Sequence, residues 1–207
     1  MSIIPKLASS LNRRDEIPNV ELAQNIAEKS SKISVSELLI YLGHPKKAIR
    51  HDAIKVIYEI GKLKPKLIAD SYRLFIALLG NSDNRMQWGA MTALDHIAAE
   101  KPNEIYIFLD KLTKAAESGS VITRDRYVKI LIKLLLLDKK RKKVVTLLLE
   151  QLRKCPTNQL PAYAESAMPL IDETTRDEFI EILSSRLAET ETDSKRKRVE
   201  KVIKRMQ

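Results

Sequence analysis

Three histidines, one cysteine and several paired carboxylates are the groups in this 207-residue chain that could do chemistry, and their spacing speaks against it. His44, His51 and His96 form no i,i+4 pair, and no carboxylate stands where it would complete a metal triad. They read as polar surface residues. Cys155 has the charge of Arg153 and Lys154 beside it to favour a thiolate, but no base is placed to use it. The doublets Asp172/Glu173 and Asp177/Glu178 suit a solvated helix start, where negative charge meets the positive end of the helix dipole. Glycine-rich phosphate loops and a nucleophile elbow are absent from the sequence. No catalytic residue, cofactor or metal is expected.

Two lysine-rich clusters carry a different chemistry. Lys139, Lys140, Arg141, Lys142 and Lys143 open one predicted helix; Lys195, Arg196, Lys197 and Arg198 open the last, with Ser194 before them as a candidate N-cap. Positive charge at a helix N-terminus opposes the dipole, so each cluster points to a phosphate-bearing partner or to acidic groups nearby. The net charge of +10 is unevenly spread. Residues 122–154 carry 11 basic against 3 acidic groups and residues 194–207 carry 7 against 1, whereas residues 155–193 between them carry 2 against 9. An acidic block therefore separates two basic ones. The single cysteine rules out an internal disulfide, and the longest aliphatic run, Leu134–Leu137, is far too short to span a bilayer. No membrane partner and a cytoplasmic location are expected.

The elements that would position these residues are helices in a repeat. With 44% hydrophobic residues, only 5 glycines and 8 prolines, the composition favours an all-α chain. "IRHDAIKVIYEI" (Ile49–Ile60) aligns with "MQWGAMTALDHI" (Met86–Ile97) at an offset of 37. The same step reaches "TRDRYVKILIKL" (Thr123–Leu134) and then "LPAYAESAMPLI" (Leu160–Ile171). Five columns of this alignment, headed by Ile49, Ala53, Val56, Ile57 and Ile60, are apolar at 19 of 20 positions, Thr123 being the exception. Their spacing is one stripe of an α-helix. A second column, Leu38/Phe75/Leu112/Leu149, marks the partner helix, Pro65 and Pro102 start helices, and Gly43 and Gly80 end them. Each unit is predicted as a helix of roughly 14–17 residues, a turn and a second helix.

"LLIYLGHPKKAIRHDAIKVIYEIG" resembles the HEAT repeat: a leucine-rich helix end, a short turn, the apolar–Arg pair Ile49–Arg50, then Ala53 and Ile57 fall in that family's order. "LLGNSDNRMQWGAMTALDHIA" keeps the order with Asp83 in the turn and Gln87 in place of the arginine. The resemblance covers residues 31–171, with 1–30 and 172–207 as capping or degenerate helices of a single domain over 1–207. It implies a right-handed α-α superhelix, HEAT- or armadillo-like, of about five to six antiparallel helix pairs whose second helices line a concave face.

On that face Lys55, Tyr58, Lys62, Trp88, Arg126, Lys129 and Lys133 would stand together, basic groups interleaved with aromatics. Such a surface suits a protein or peptide partner with acidic residues, and equally a nucleic-acid backbone. Trp88 is either part of it or packed against the adjoining repeat. The function expected is a non-catalytic scaffold that gathers a protein partner. Nucleic-acid binding is the alternative. It includes the HEAT-like DNA glycosylases, which the chain resembles in size and charge and for which Asp95, seven residues past Trp88, would be the carboxylate to test.

Overall fold

A computed structural model describes residues 2–136, 141–190 and 192–207, with the backbone alone of Arg141. Among them are twelve α-helices and no strand. The four copies of the apolar stripe lie on α3 (Lys47–Leu63), α5 (Asn84–Ile97), α8 (Val121–Leu134) and α10 (Leu160–Ala167). Of the twenty stripe positions, all but Met168 and Ile171 are buried. Those two follow the end of α10, because Pro169 has no N–H to continue the helix and the chain passes into the 3-10 turn Met168–Leu170. Thr123 is buried although polar; its hydroxyl lies 3.1 Å from Ser120 Oγ, which also accepts the Thr123 N–H.

The partner column is buried throughout: Leu38 on α2 (Lys32–Tyr41), Phe75 on α4 (Tyr72–Leu78), Leu112 on α7 (Leu109–Ser118) and Leu149 on α9 (Arg141–Lys154). Most of these partner helices are shorter than the 14–17 residues the repeat suggests. Pro65 and Pro102 open 3-10 and short α segments (Pro65–Leu67, Ala69–Ser71 and α6, Pro102–Ile107), and the chain breaks again at Phe108 before α7. Proline sets the starting dihedral in each case, and its missing N–H is one that a first helical turn leaves unpaired anyway.

The apolar–Arg position has a structural task. Arg50 Nη1 donates to the carbonyls of His44 (2.8 Å) and Pro45 (3.0 Å), closing the turn between α2 and α3. Gln87 does the same for the next repeat through Nε2 and the Leu79 carbonyl at 3.0 Å. An amide replaces the guanidinium because one donor to one helix-end carbonyl is enough.

The chain divides into two compact units, Met1–Ile130 and Leu131–Gln207. In the first, α1 (Ile17–Lys29) packs on α3 and α3 on α5, with α2 against α3 and α4 against α5. Its N-terminal segment is tied down from below: Asp52 accepts from Ser9 N (2.8 Å) and Asn19 Nδ2 (2.7 Å), and Asn19 Oδ1 accepts from Ala8 N (3.0 Å). Ile3, Leu7 and Ala8 are buried in consequence. In the second unit α10 packs on α12 (Asp193–Met206), and α11 (Glu173–Ser185) on α9 and α12 around Phe179, Leu183 and Val199. Among the described residues no helix is long and apolar enough to cross a membrane.

Candidate functional site

A close helix approach in the first unit builds the aromatic site. Gly89 on α5 faces Ile54 on α3, where a Cβ would lie only 2.6 Å from Ile54 Cγ1. One turn along, this brings Tyr58 of α3 and Trp88 of α5 to a ring-centroid distance of 5.8 Å, tilted by 49°. Tyr58 is buried and Trp88 half-exposed, so the tryptophan has one side on the adjoining repeat and another toward solvent.

Charged groups surround the pair. Lys55 Nζ stands 4.8 Å from the Tyr58 ring centroid and is only 8% exposed as a residue. It pairs with Glu59 at 2.7 Å, one helical turn along α3, and with Glu16 Oε2 at 3.1 Å. Burial works against its charged form, but the hydrogen bonds it donates to Glu59, Tyr58 and Glu16 outweigh this and raise its pKa well above the ordinary lysine value. Burial also raises the Tyr58 phenol, against the lowering effect of Lys55. The other oxygen of Glu16, at the N-terminus of α1, pairs with Arg85 Nη2. The Arg85 guanidinium lies 5.8 Å from the Trp88 ring centroid. Its Nε is buried and has no hydrogen-bond partner.

Lys55, Tyr58 and Trp88 are thus brought together. Arg126 on α8 reaches α5 through an ion pair with Asp95 at 3.0 Å. That pair leaves the Asp95 side chain 3% exposed, a poor position for a carboxylate meant to meet a flipped base. Lys62 and Lys129 are exposed, and Lys133 is half-buried and lies in the second unit. Of the first basic cluster, Lys139 and Lys140 and the side chain of Arg141 lie outside the described residues, while Lys142 and Lys143 are exposed on α9. In the second, Arg198 is taken up by Glu165 at 2.6 Å, and Arg196 donates to the Thr190 carbonyl at 3.0 Å. Lys195 is half-buried and Lys197 exposed. The acidic block thus supplies partners within the unit, as Glu178 does for Arg153 at 2.5 Å. Thr192, not Ser194, precedes α12, and it makes no side-chain cap.

Two of the histidines hold turns. His51 Nε2 lies 2.8 Å from Asp83 Oδ2, and His44 Nδ1 accepts from Lys46 N at 3.1 Å. Among the described residues no cluster of three or more His, Cys, Asp or Glu is placed to hold a metal. Cys155 is 1% exposed. Glu16 and Arg85 are the site residues that sequence reasoning missed. Arg85 stands three residues before Trp88, a helical spacing that could have flagged it. Glu16 has no such signal, since it reaches Arg85 across 69 residues.

No protein-family model and no curated protein matches the chain. Solved structures do. A designed armadillo repeat protein in complex with the peptide (KR)4 superposes with a TM-score of 0.68 at 15% identity over all of both chains. A computationally designed armadillo repeat protein for modular peptide recognition gives 0.67 at 14% identity over 91% of each chain. An engineered protein from a structural genomics consortium gives 0.60 at 20% identity, covering 100% of this chain and 98% of that one. Likeness at these identities establishes the fold, an all-α repeat solenoid of the armadillo/HEAT-like kind.

Proposed function

We propose that the chain is a non-catalytic scaffold that binds an extended peptide segment of a protein partner on the face where α3 and α5 meet. The single observation that carries this reading is the seat of Trp88. The only tryptophan is half-exposed, fixed on Tyr58 and flanked by the Arg85 guanidinium. Trp, Tyr and Arg dominate binding energy where they are held rigidly beside a groove, because little side-chain entropy is lost on contact. Repeat solenoids expose such surfaces as their usual work. Two of the similar designed proteins are described, respectively, as solved with (KR)4 and as made for modular peptide recognition. To test the reading, a random peptide library displayed on phage is panned against the purified chain. Enriched peptides are then synthesised and titrated while Trp88 emission is followed. Binding should weaken about tenfold or more in Trp88→Ala, by calorimetry, with the helical signal retained. Enrichment of nothing, or full binding by Trp88→Ala, overturns the reading.

A second reading rests on α12, whose Lys197, Lys201, Lys204 and Arg205 are exposed. Such a row suits phosphate-backbone contact. If it neutralises several phosphates, labelled nucleic acid should bind with an affinity falling on the order of 10²-fold or more between about 50 and 200 mM salt. Absence of binding at the lower salt eliminates it.

A further inference from the structure

Glu16 occupies the very groups that the proposed site would offer an acidic peptide. Its Oε2 lies 3.1 Å from Lys55 Nζ and its Oε1 pairs with Arg85 Nη2, beside the Tyr58–Trp88 pair. The arrangement is that of a carboxylate ligand in a basic, aromatic-edged seat, except that the carboxylate belongs to the chain itself. Two features show that Glu16 fills this seat incompletely. Its side chain is 39% exposed, so water reaches the contact and screens it. And because its two oxygens are divided between two cations, the Arg85 fork is engaged at Nη2 only, with Nε buried and unpaired. A guanidinium is built to hold one carboxylate through two parallel N–H donors, and a buried donor left empty is costly.

We propose that Lys55, Arg85 and Trp88 form a carboxylate-recognition site for an acidic peptide, and that Glu16 is an intramolecular occupant which the peptide's Asp or Glu displaces. The inference rests on the peptide-binding reading above and names the partner's chemistry. An incoming side chain takes Arg85 Nη2 in place of Glu16, while its neighbours in the peptide lie along Trp88. Lys55 keeps Glu59 as its second partner, so Glu16 leaves without stranding an ammonium. Arg85 stays paired throughout, first to Glu16 and then to the ligand. The local charge is also consistent. With Glu16 in place the four groups Glu16, Lys55, Glu59 and Arg85 sum to neutral, and with it withdrawn the seat is positive, which attracts an anionic segment.

The consequence is a competition. Apparent affinity is reduced by the fraction of molecules in which Glu16 holds the seat, so abolishing its charge should tighten binding of an acidic peptide. For contacts of this exposure the gain is about 3- to 10-fold. The probe is octaglutamate, unlabelled, read by Trp88 emission and by calorimetry at neutral pH and low salt. It is titrated into the full chain and into Glu16→Gln, with far-UV circular dichroism showing that both are folded. Arg85→Gln is made alone and in the Glu16→Gln background. We expect Glu16→Gln to bind octaglutamate about 3- to 10-fold more tightly, and Arg85→Gln to erase that gain. Equal binding within twofold, weaker binding by Glu16→Gln, or a gain that survives Arg85→Gln overturns the displacement. If octaglutamate fails on every variant while (KR)4 or the panned peptides bind, the carboxylate chemistry is wrong and peptide binding stands. If no peptide binds any variant, both proposals fall.

Discussion

Substituting Gly89 by alanine tests whether the approach of α3 to α5 is as close as the aromatic seat requires. In an exposed helix this change stabilises, by about 1 kcal/mol, because alanine is the better helix former. Here the new methyl would sit 2.6 Å from Ile54 Cγ1 and 3.3 Å from Cγ2. Ile54 is fully buried, and a β-branched side chain in a helix has one strongly preferred χ1, so neither methyl nor methylene can swing aside. The backbones must separate instead. Overpacking of this kind costs about 1–3 kcal/mol, which cancels the gain at least and leaves a net loss of up to about 2 kcal/mol. Gly61 supplies the control. Its added Cβ would also meet an atom at 2.6 Å, but that atom is Ile68 Cδ1, the end of a flexible side chain, so Gly61→Ala should be milder. Urea unfolding followed by Trp88 emission reads the first unit directly, because no other tryptophan exists in the chain. Ile54→Ala alone should cost about 2–5 kcal/mol, and at least about 1 kcal/mol less in the Gly89→Ala background, because each change relieves the other. A stabilising Gly89→Ala, or costs that simply add, would refute the close approach.

Other expectations concern the polar contacts. Asp52→Ala removes the acceptor shared by Ser9 N and Asn19 Nδ2, so it should cost about 1–3 kcal/mol and expose the Ser9 amide to fast hydrogen exchange. Asp83 feels burial, which raises its pKa, but the hydrogen bond and charge of His51, the Arg85 N–H and the Lys47 charge outweigh it and hold the carboxyl below its usual 3.8. Its folded value is depressed, so its contribution is present above that pH and lost as pH falls through the folded value. Asp83→Asn should therefore flatten the acid side of a plot of urea midpoint against pH. Arg186, 9% exposed, donates to the carbonyls of Leu152 (2.9 Å) and Cys155 (2.7 Å) at the end of α9. Arg186→Lys should cost about 1–3 kcal/mol and speed labelling of the Cys155 thiol.

The repeat was legible because it is local. Ala90, Leu94 and Ile97 announce a buried stripe through spacing alone, and the same stripe recurs at a step of 37. The adjacency of Tyr58 and Trp88 follows from stacking successive copies of that helix. The division of the partner helices was less legible, since Pro65 and Pro102 mark where a helix starts but not whether its first turn holds as α. Charge was the least legible property. Arg198 and Lys197 are neighbours in one basic run, yet Glu165 takes up the first while the second stands in solvent. Composition counts both alike. Glu16 was invisible for a related reason. Its contacts arise from where the docked N-terminal segment delivers the start of α1, and no periodic step of 37 leads there.

The central claim is that a peptide covers Trp88 at the seam of α3 and α5, and acrylamide quenching of the sole tryptophan tests it most directly. In the free chain Trp88 is half-exposed and should be quenched appreciably. Saturation with a panned peptide should reduce the quenching constant, by about twofold or more if the ring's solvent side is covered. Undiminished quenching in a complex that calorimetry shows to be saturated would put the peptide elsewhere and contradict the account.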